Sequence, residues 1–151
     1  MSTAFTSAGT TIQISATLPN PYTAAGFESV TGWQTIGEAT DLGELGRTYN
    51  LVSHNPLGDR RTVKRKGSYN DGTVSMTVAR DPNDAGQAIA LAALDSDDSY
   101  SFLVTLQDGT ELYFSAQVMS YTTNVGSVDQ ITTSAISLEI DNDIIEVAAS
   151  V

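Results

Sequence analysis

The chain has 151 residues, 40% of them hydrophobic, which is enough for one domain with a real core, and its 18 acids against seven bases give a net charge of −11. That acidity excludes wholesale wrapping of nucleic acid or of an anionic membrane, because most of the surface would repel a polyanion. With no cysteine in the chain, disulfides, thiolate metal sites and a thiol nucleophile are excluded as well, and cysteine usage leaves the redox compartment open.

The opening "MSTAFTSAGTTIQISA" lacks a cationic n-region and a long apolar h-region, and no run of about 18 apolar residues follows anywhere. The expectation is a protein made in the cytoplasm with no membrane span. Residues 1–57 are rich in Gly, Thr, Ser, Ala and Pro, and only Thr11–Ala16 ("TIQISA") and Tyr49–His54 ("YNLVSH") read as strands. The remainder reads as loop or arm, chiefly 1–10 and about 40–60, ordered by a neighbour.

All seven bases fall between positions 47 and 80 (Arg47, Arg60, Arg61, Lys64, Arg65, Lys66 and Arg80), so residues 1–46, 47–80 and 81–151 carry net −4, +5 and −12. The dense part, "GDRRTVKRKGSYNDGT", reads as the first arm of a hairpin with a two-residue turn at Asp71-Gly72. This register sets Tyr69 opposite Val74, Gly67 opposite Met76 and Arg65 opposite Val78, and puts Val63 and Tyr69 on the apolar face with Val74, Met76 and Val78. Lys64, Lys66, Ser68, Thr73, Ser75 and Thr77 take the polar face, while Arg65 lands on the apolar side and needs a carboxylate or a route to solvent.

"RDPNDAGQAIALAALDSDD" reads as the one helix, about Pro82–Leu94, with Asp81 as N-cap, Pro82 at N1 and Asp84 at N3. Ala85, Ala88, Ile89 and Ala92, with Leu91 beside them, form its apolar stripe. In "SYSFLVTLQDGTELYFSAQVMSY" a two-residue turn would put Phe102 opposite Ser115 and mismatch the faces. A three-residue loop, Gln107–Gly109 with a glycine bulge, pairs Leu106 with Thr110, Val104 with Leu112, Phe102 with Phe114 and Tyr100 with Ala116. "QITTSAISLEID" closes the series, with Ile136, Leu138 and Ile140 on one face. The order predicts a single domain over 1–151, mainly β: an antiparallel β-sandwich or barrel with one flanking α-helix and long loops.

No residue set supports catalysis, a cofactor or a metal. His54 is the one histidine, so a triad or a His-based metal cluster would rest on it alone. The many acids could pair as a hydrolase dyad, but abundance carries no specificity. Asp95–Ser99 ("DSDDS") fails as an EF-hand loop, with Tyr100 where Gly is required and Leu106 where the bidentate Glu belongs; it reads as a solvated helix end. Gly43–Gly46 ("GELG") reads as a turn. The basic stretch has three readings: a hairpin whose lysines guard a sheet edge, a nucleic-acid contact with only Tyr69 to stack, or a cationic element that meets the acidic remainder of another copy head to tail.

The run "GEATDLGELGRTYNLVSHNPLGDRRTVKRKGSYNDGTVSMTVARDPNDAGQAIALAAL", followed by "YSFLVTLQDGTELYFSAQVMSYTTNVGSVDQITTSAISLEID", resembles the major tail tube proteins of long, non-contractile-tailed bacteriophages over roughly Phe5–Val147. A charged hairpin, a D-P-x-D-x-G-Q helix, a D-G hairpin and a closing acidic strand carry the resemblance. It implies a structural virion protein and no enzyme. Six copies would form a ring with a continuous inner barrel, and rings would stack into a tube built around a tape-measure protein in the host cytoplasm. Tail tip and tail terminator proteins would be further partners, and DNA would pass through an acidic lumen without specific binding. Some members carry a carboxyl-terminal immunoglobulin-like domain, for which a chain ending at Val151 has no room. The resemblance makes Arg47–Lys66 the long loop and hairpin of ring contacts. Arg47, Arg60, Arg61, Lys64 and Lys66 would then meet Asp95, Asp97, Asp98, Asp141 or Asp143 of another copy. The rival expectation is a small acidic adaptor that uses the hairpin to hold nucleic acid or a partner protein.

Overall fold

The computed structural model describes residues 4, 6–44 and 46–148. Ten strands and two helices follow in the order β1 (Thr11–Ser15), α1 (Ala24–Glu28), β2 (Gln34–Thr35), β3 (Ala39–Asp41), β4 (Thr48–His54), β5 (Val63–Asn70), β6 (Thr73–Ala79), α2 (Ala85–Leu94), β7 (Tyr100–Thr105), β8 (Glu111–Asn124), β9 (Thr133–Ile140) and β10 (Ile145–Val147). The architecture is the expected one, mainly antiparallel β with a flanking helix.

One sheet runs β2-β1-β7-β8-β9-β6-β3, with β10 added beside the start of β8. Its two end strands, β2 and β3, are consecutive in the chain, so the sheet curls until Ile36–Glu38 spans its ends. The Ile36 N–H donates to the Ile12 carbonyl and the Ala79 N–H to the Glu38 carbonyl, each at 2.9 Å, which fastens this connection to both sides. Alternation along the strands then decides what lies inside. Ile12 and Ile14, Val74, Met76 and Val78, Phe102 and Val104, Phe114, Ala116 and Val118, and Ile136, Leu138 and Ile140 form one buried core. Phe102 and Phe114 stack at its centre with ring centroids 5.5 Å apart.

The second hairpin has the bulged register expected of it. Tyr100, Phe102 and Val104 face Ala116, Phe114 and Leu112; Leu106 N–H donates to the Thr110 carbonyl at 2.9 Å, and Gly109 holds the left-handed φ of +96° that the bulge requires. The alternate residues, Leu103 and Tyr113, face outward and are roofed by Phe27 of α1, which stacks on Tyr113 at 5.1 Å. Helix α1 was not expected from its composition; Thr23 caps it by accepting from the Gly26 N–H. Burial and the neighbouring Glu111 and Glu28 push the Tyr113 phenol up from its ordinary range.

Three expectations are corrected. First, β5 does not pair with β6: β6 is flanked by β9 (Val74↔Leu138, Met76↔Ile136) and β3, and β5 pairs with β4. Both edges of β6 are therefore taken, and a strand with cations on both faces could not join a sheet whose inner face is apolar. At Asp71-Gly72 the chain passes from one sheet to the other, held by the Gly72 N–H to Asn70 Oδ1 at 2.9 Å and the Ile140 N–H to the Gly72 carbonyl at 3.2 Å. Val63 and Tyr69 thus leave the core, and Arg65 stands in solvent. Second, the N-cap of α2 is Asp84, not Asp81, accepting from the Gln87 N–H at 2.9 Å. Third, the buried stripe of α2 is Gly86, Gln87, Ala90 and Ala93, with Ile89 half-buried, while Ala85, Ala88, Leu91 and Ala92 face outward. Of the Gly43–Gly46 turn, Leu45 lies outside the described residues; Gly43 has φ +69° and donates to Asp41 Oδ1 at 2.9 Å.

The D-P-x-D-x-G-Q segment seats this helix. Gln87, almost fully buried, gives its amide N–H groups to the Gly37 and Ala79 carbonyls (3.1 and 3.0 Å) and accepts from the Asp81 N–H, so every arm of the amide is used. Gly86 lets the backbone approach β2, where an added Cβ would lie 2.2 Å from the Thr35 carbonyl oxygen. In an open helix Gly→Ala stabilises by about 1 kcal/mol. Here Gly86→Ala is expected to destabilise by about 2 kcal/mol through overpacking, read as a lower urea midpoint; a raised midpoint would contradict the packing.

Candidate assembly surface

Strands β4 and β5 form a two-stranded sheet of their own, an arm that stands off the curled body for about 20 Å at the usual rise per residue. Its register is Thr48↔Asn70 and Tyr49↔Tyr69, then a bulge opposite Asn50, then Leu51↔Lys66, Val52↔Arg65, Ser53↔Lys64 and His54↔Val63. Every residue of β4 is exposed and only Val63 and Gly67 of β5 are half-buried. Gly67 sits where an added Cβ would fall 3.2 Å from the Asn50 carbonyl oxygen, so the bulge favours glycine. At the tip the Thr62 hydroxyl bonds Asn55 Oδ1 at 2.6 Å and the Arg61 N–H bonds Asp59 Oδ1 at 3.2 Å.

Five of the seven cations ride on this arm: Arg60, Arg61, Lys64, Arg65 and Lys66. None forms an ion pair among the described residues; Arg65 reaches only the Lys64 carbonyl, and Lys66 Nζ lies 4.8 Å from the Tyr49 ring. The apolar residues between them are exposed too, Leu51 at 69%, Val52 at 54% and Leu57 fully. A hairpin exposed on both faces is marginal by itself, and among the described residues neither its charge nor its apolar surface is covered.

Arg47 behaves differently. It stands at the root of the arm, its Nε 3.1 Å from Asp71 Oδ1, a second nitrogen on Asp143, and its guanidinium carbon 4.0 Å from the Tyr69 ring centroid. Two residues singled out for contact with another copy, Arg47 and Asp143, thus meet each other within one chain. Asp141 is also engaged internally, accepting from the Ser99 and Ser115 hydroxyls. Asp95, Asp97 and Asp98, between α2 and β7, remain exposed with carboxylates unpaired among the described residues. His54 is on the arm and exposed. No cluster of three or more His, Cys, Asp or Glu side chains suited to a metal occurs among the described residues, and no helix there is long and apolar enough to cross a membrane.

Two further surfaces escaped the sequence reading. Strand β8 runs past the end of β7, whose pairing stops at Tyr100↔Ala116, so among the described residues Gln117–Asn124 has a strand partner, β9, on one edge only. The bulge between Val118 and Ser120 turns Met119 outward, and the β8–β9 connection exposes Val125, Val128 and Ile131. Amphipathic patterning could not find these, because it assigns apolar residues to the chain's own core.

The chain matches the phage tail tube protein model over residues 1–149. It belongs to the phage tail tube protein family. Family membership makes the chain a structural component of the virion tail. Its fold is similar to a chain of the anti-feeding prophage baseplate, with TM-score 0.75 and 14% identity over 100% of both chains. It is also similar to a chain of the tail of an empty gene transfer agent particle, with TM-score 0.70 and 12% identity over 96% of this chain and 100% of that one. A third likeness is to the SPP1 tail tube, with TM-score 0.66 and 14% identity over 91% of this chain and 75% of that one. No curated protein matches.

Because no residue of this tube protein's arm belongs to the core formed by the described residues, Leu51→Thr/Val52→Thr should shift the unfolding free energy of the monomer by less than about 0.5 kcal/mol. Leu138→Ala in the core should cost about 2–5 kcal/mol in the same urea titration. A large loss from the arm pair would mean that the arm packs on its own body.

Proposed function

We propose that the chain is the repeating subunit of a tube of stacked sixfold rings, and that the β4–β5 arm joins each copy to another. The observation that carries this reading is charge separation in space: five cations unpaired among the described residues on one projecting hairpin, on a chain whose remainder is net acidic. Complementary patches on one chain suit a head-to-tail, heterologous contact, which repeats without limit along an axis or closes into a ring. Arg60, Arg61, Lys64 and Lys66 are the donors, and the unpaired Asp95, Asp97 and Asp98 are the receiving acids. The free edge Gln117–Asn124 suits lateral strand pairing that would extend the sheet from copy to copy.

A wall left acidic once the cations are consumed at contacts repels phosphate and lets DNA pass without sticking. The role is mechanical and non-enzymatic. A tape-measure protein inside the tube, tip and terminator proteins at its ends, assembly in the host cytoplasm and organisation as one domain over 1–151 complete the reading.

Arg60→Glu/Arg61→Glu reverses the tip charge without touching the core. Negative-stain microscopy beside light scattering should show tubes for the parent chain and about tenfold or greater loss for the variant, with parent and variant equally folded by circular dichroism. Tubes of normal length from the variant, or oligonucleotide binding by the parent that the variant loses, would overturn the reading.

A further inference from the structure

Two strands connect the arm to the body, one entering through Gly46-Arg47 and one leaving through Asp71-Gly72. Each has a glycine at the crossing, and the two glycines touch: an added Cβ at Gly72, where φ is +96°, would be 3.3 Å from the Gly46 carbonyl oxygen. A glycine in each strand at the root of a projecting hairpin leaves a hinge point with little side-chain bulk, so the angle of the arm falls to the two hydrogen bonds of the Gly72 backbone and to whatever side chain spans the crossing.

One guanidinium spans that hinge. Arg47 bonds Asp71, which is only 7% exposed, in the β5–β6 connection, and Asp143 on the β9–β10 connection of the body, while its guanidinium carbon lies over the Tyr69 ring. Tyr69 in turn packs on Tyr49 at 5.3 Å, and Lys66 lies over the Tyr49 ring, so a pair of tyrosines with a cation at each end runs up from the hinge. The body side is equally tied down. The Tyr22 hydroxyl donates to the Asp143 carbonyl at 2.6 Å and accepts from the Ser115 N–H at 3.1 Å, which fixes the connection to β8. Both ion pairs formed among the described residues belong to Arg47, in a chain with 18 acids to choose from. Arginine suits the task because its planar fork can engage two carboxylates and a ring face at once, which an ammonium cannot do.

We propose that Arg47 is a positioning residue for assembly: it touches no other copy, and by pinning Asp71 and Asp143 it sets the angle at which the arm leaves the body. A tube needs this. A hairpin free to swing would pay orientational entropy at every contact, and a pre-aimed one does not. The inference rests on the proposed role of the arm as the contact between copies.

Since the chain has no cysteine, Ser53→Cys on β4 and Ala88→Cys on α2 give a unique pair of spin-label sites. The distance distribution between them is measured at a concentration where light scattering shows monomer. The parent should give one narrow distance. Arg47→Met alone would strand the buried Asp71 carboxylate, so Arg47→Met/Asp71→Asn, which removes both charges, is the working variant, and Asp143→Ala breaks the other bond. The double variant should roughly double the width of the distribution while the circular dichroism stays that of the parent. Its tube formation should slow about tenfold, with Arg47→Lys intermediate in both readouts. A broad parent distribution, or an unchanged width in both variants, overturns the hinge lock. Wider distributions with tubes forming at the parent rate overturn its role in assembly. Normal tubes from Arg60→Glu/Arg61→Glu would instead overturn the contact role of the arm and leave the hinge measurement standing.

Discussion

The structure depends on a sheet that curls until its end strands are joined by three consecutive residues, Ile36–Glu38, around a core of aliphatic side chains and the stacked Phe102 and Phe114. Such a sheet has an inner face that admits only apolar residues and few free edges. A strand carrying Lys64, Arg65 and Lys66 in succession has charge on both faces and cannot be admitted. The chain therefore sends β4 and β5 outward together, each satisfying the other's backbone, and returns through Gly72 to resume the core at Val74. Projection of the arm is thus a consequence of how the core is closed.

The proposed role of the arm follows from the same exclusion. Charges that cannot enter the body collect on the arm, the body keeps the opposite net charge, and on the proposed reading the two meet between copies. Arg47 is the exception that makes the arrangement usable, because it spends its cation inside the chain on Asp71 and Asp143. On the proposed reading, that aims the arm. The same economy appears at α2, where one buried amide, Gln87, links the helix to the segments at Gly37 and Ala79 and so to both ends of the curled sheet.

Much of the body was legible in the sequence, because alternation is unambiguous where one face of a strand is fully buried. The bulged register of β7 and β8 followed from matching Phe102 with Phe114, and β9 from Ile136, Leu138 and Ile140. The arm was misread for a physical reason. Asp71-Gly72 is a good local turn signal, but pairing is settled by which strands need the edges of β6, and that is a long-range competition between β9, β3 and β5. The cap of α2 was displaced by one turn because Asp81 and Asp84 are both competent acceptors, and only the contact of Asp84 with the Gly37 N–H at 3.1 Å distinguishes them. The cation Arg47 was legible as important, and its partner Asp143 as a candidate, but their meeting is a matter of tertiary placement across 96 residues. Exposed Leu51, Val52 and Met119 carry no signal that separates them from core residues, since hydrophobicity says that a residue wants cover and not whose.

The central claim is that the unpaired cations of the arm are neutralised by another copy. A helical reconstruction of assembled tubes by electron cryomicroscopy, at a resolution that traces β4, β5 and their side chains, tests it directly. The account predicts the arm lying on a neighbouring subunit, with Arg60, Arg61, Lys64 or Lys66 within ion-pair distance of that subunit's acids and Leu51 and Val52 covered. An arm standing free in solvent or lining the lumen, with those cations still unpaired in the closed tube, would contradict it.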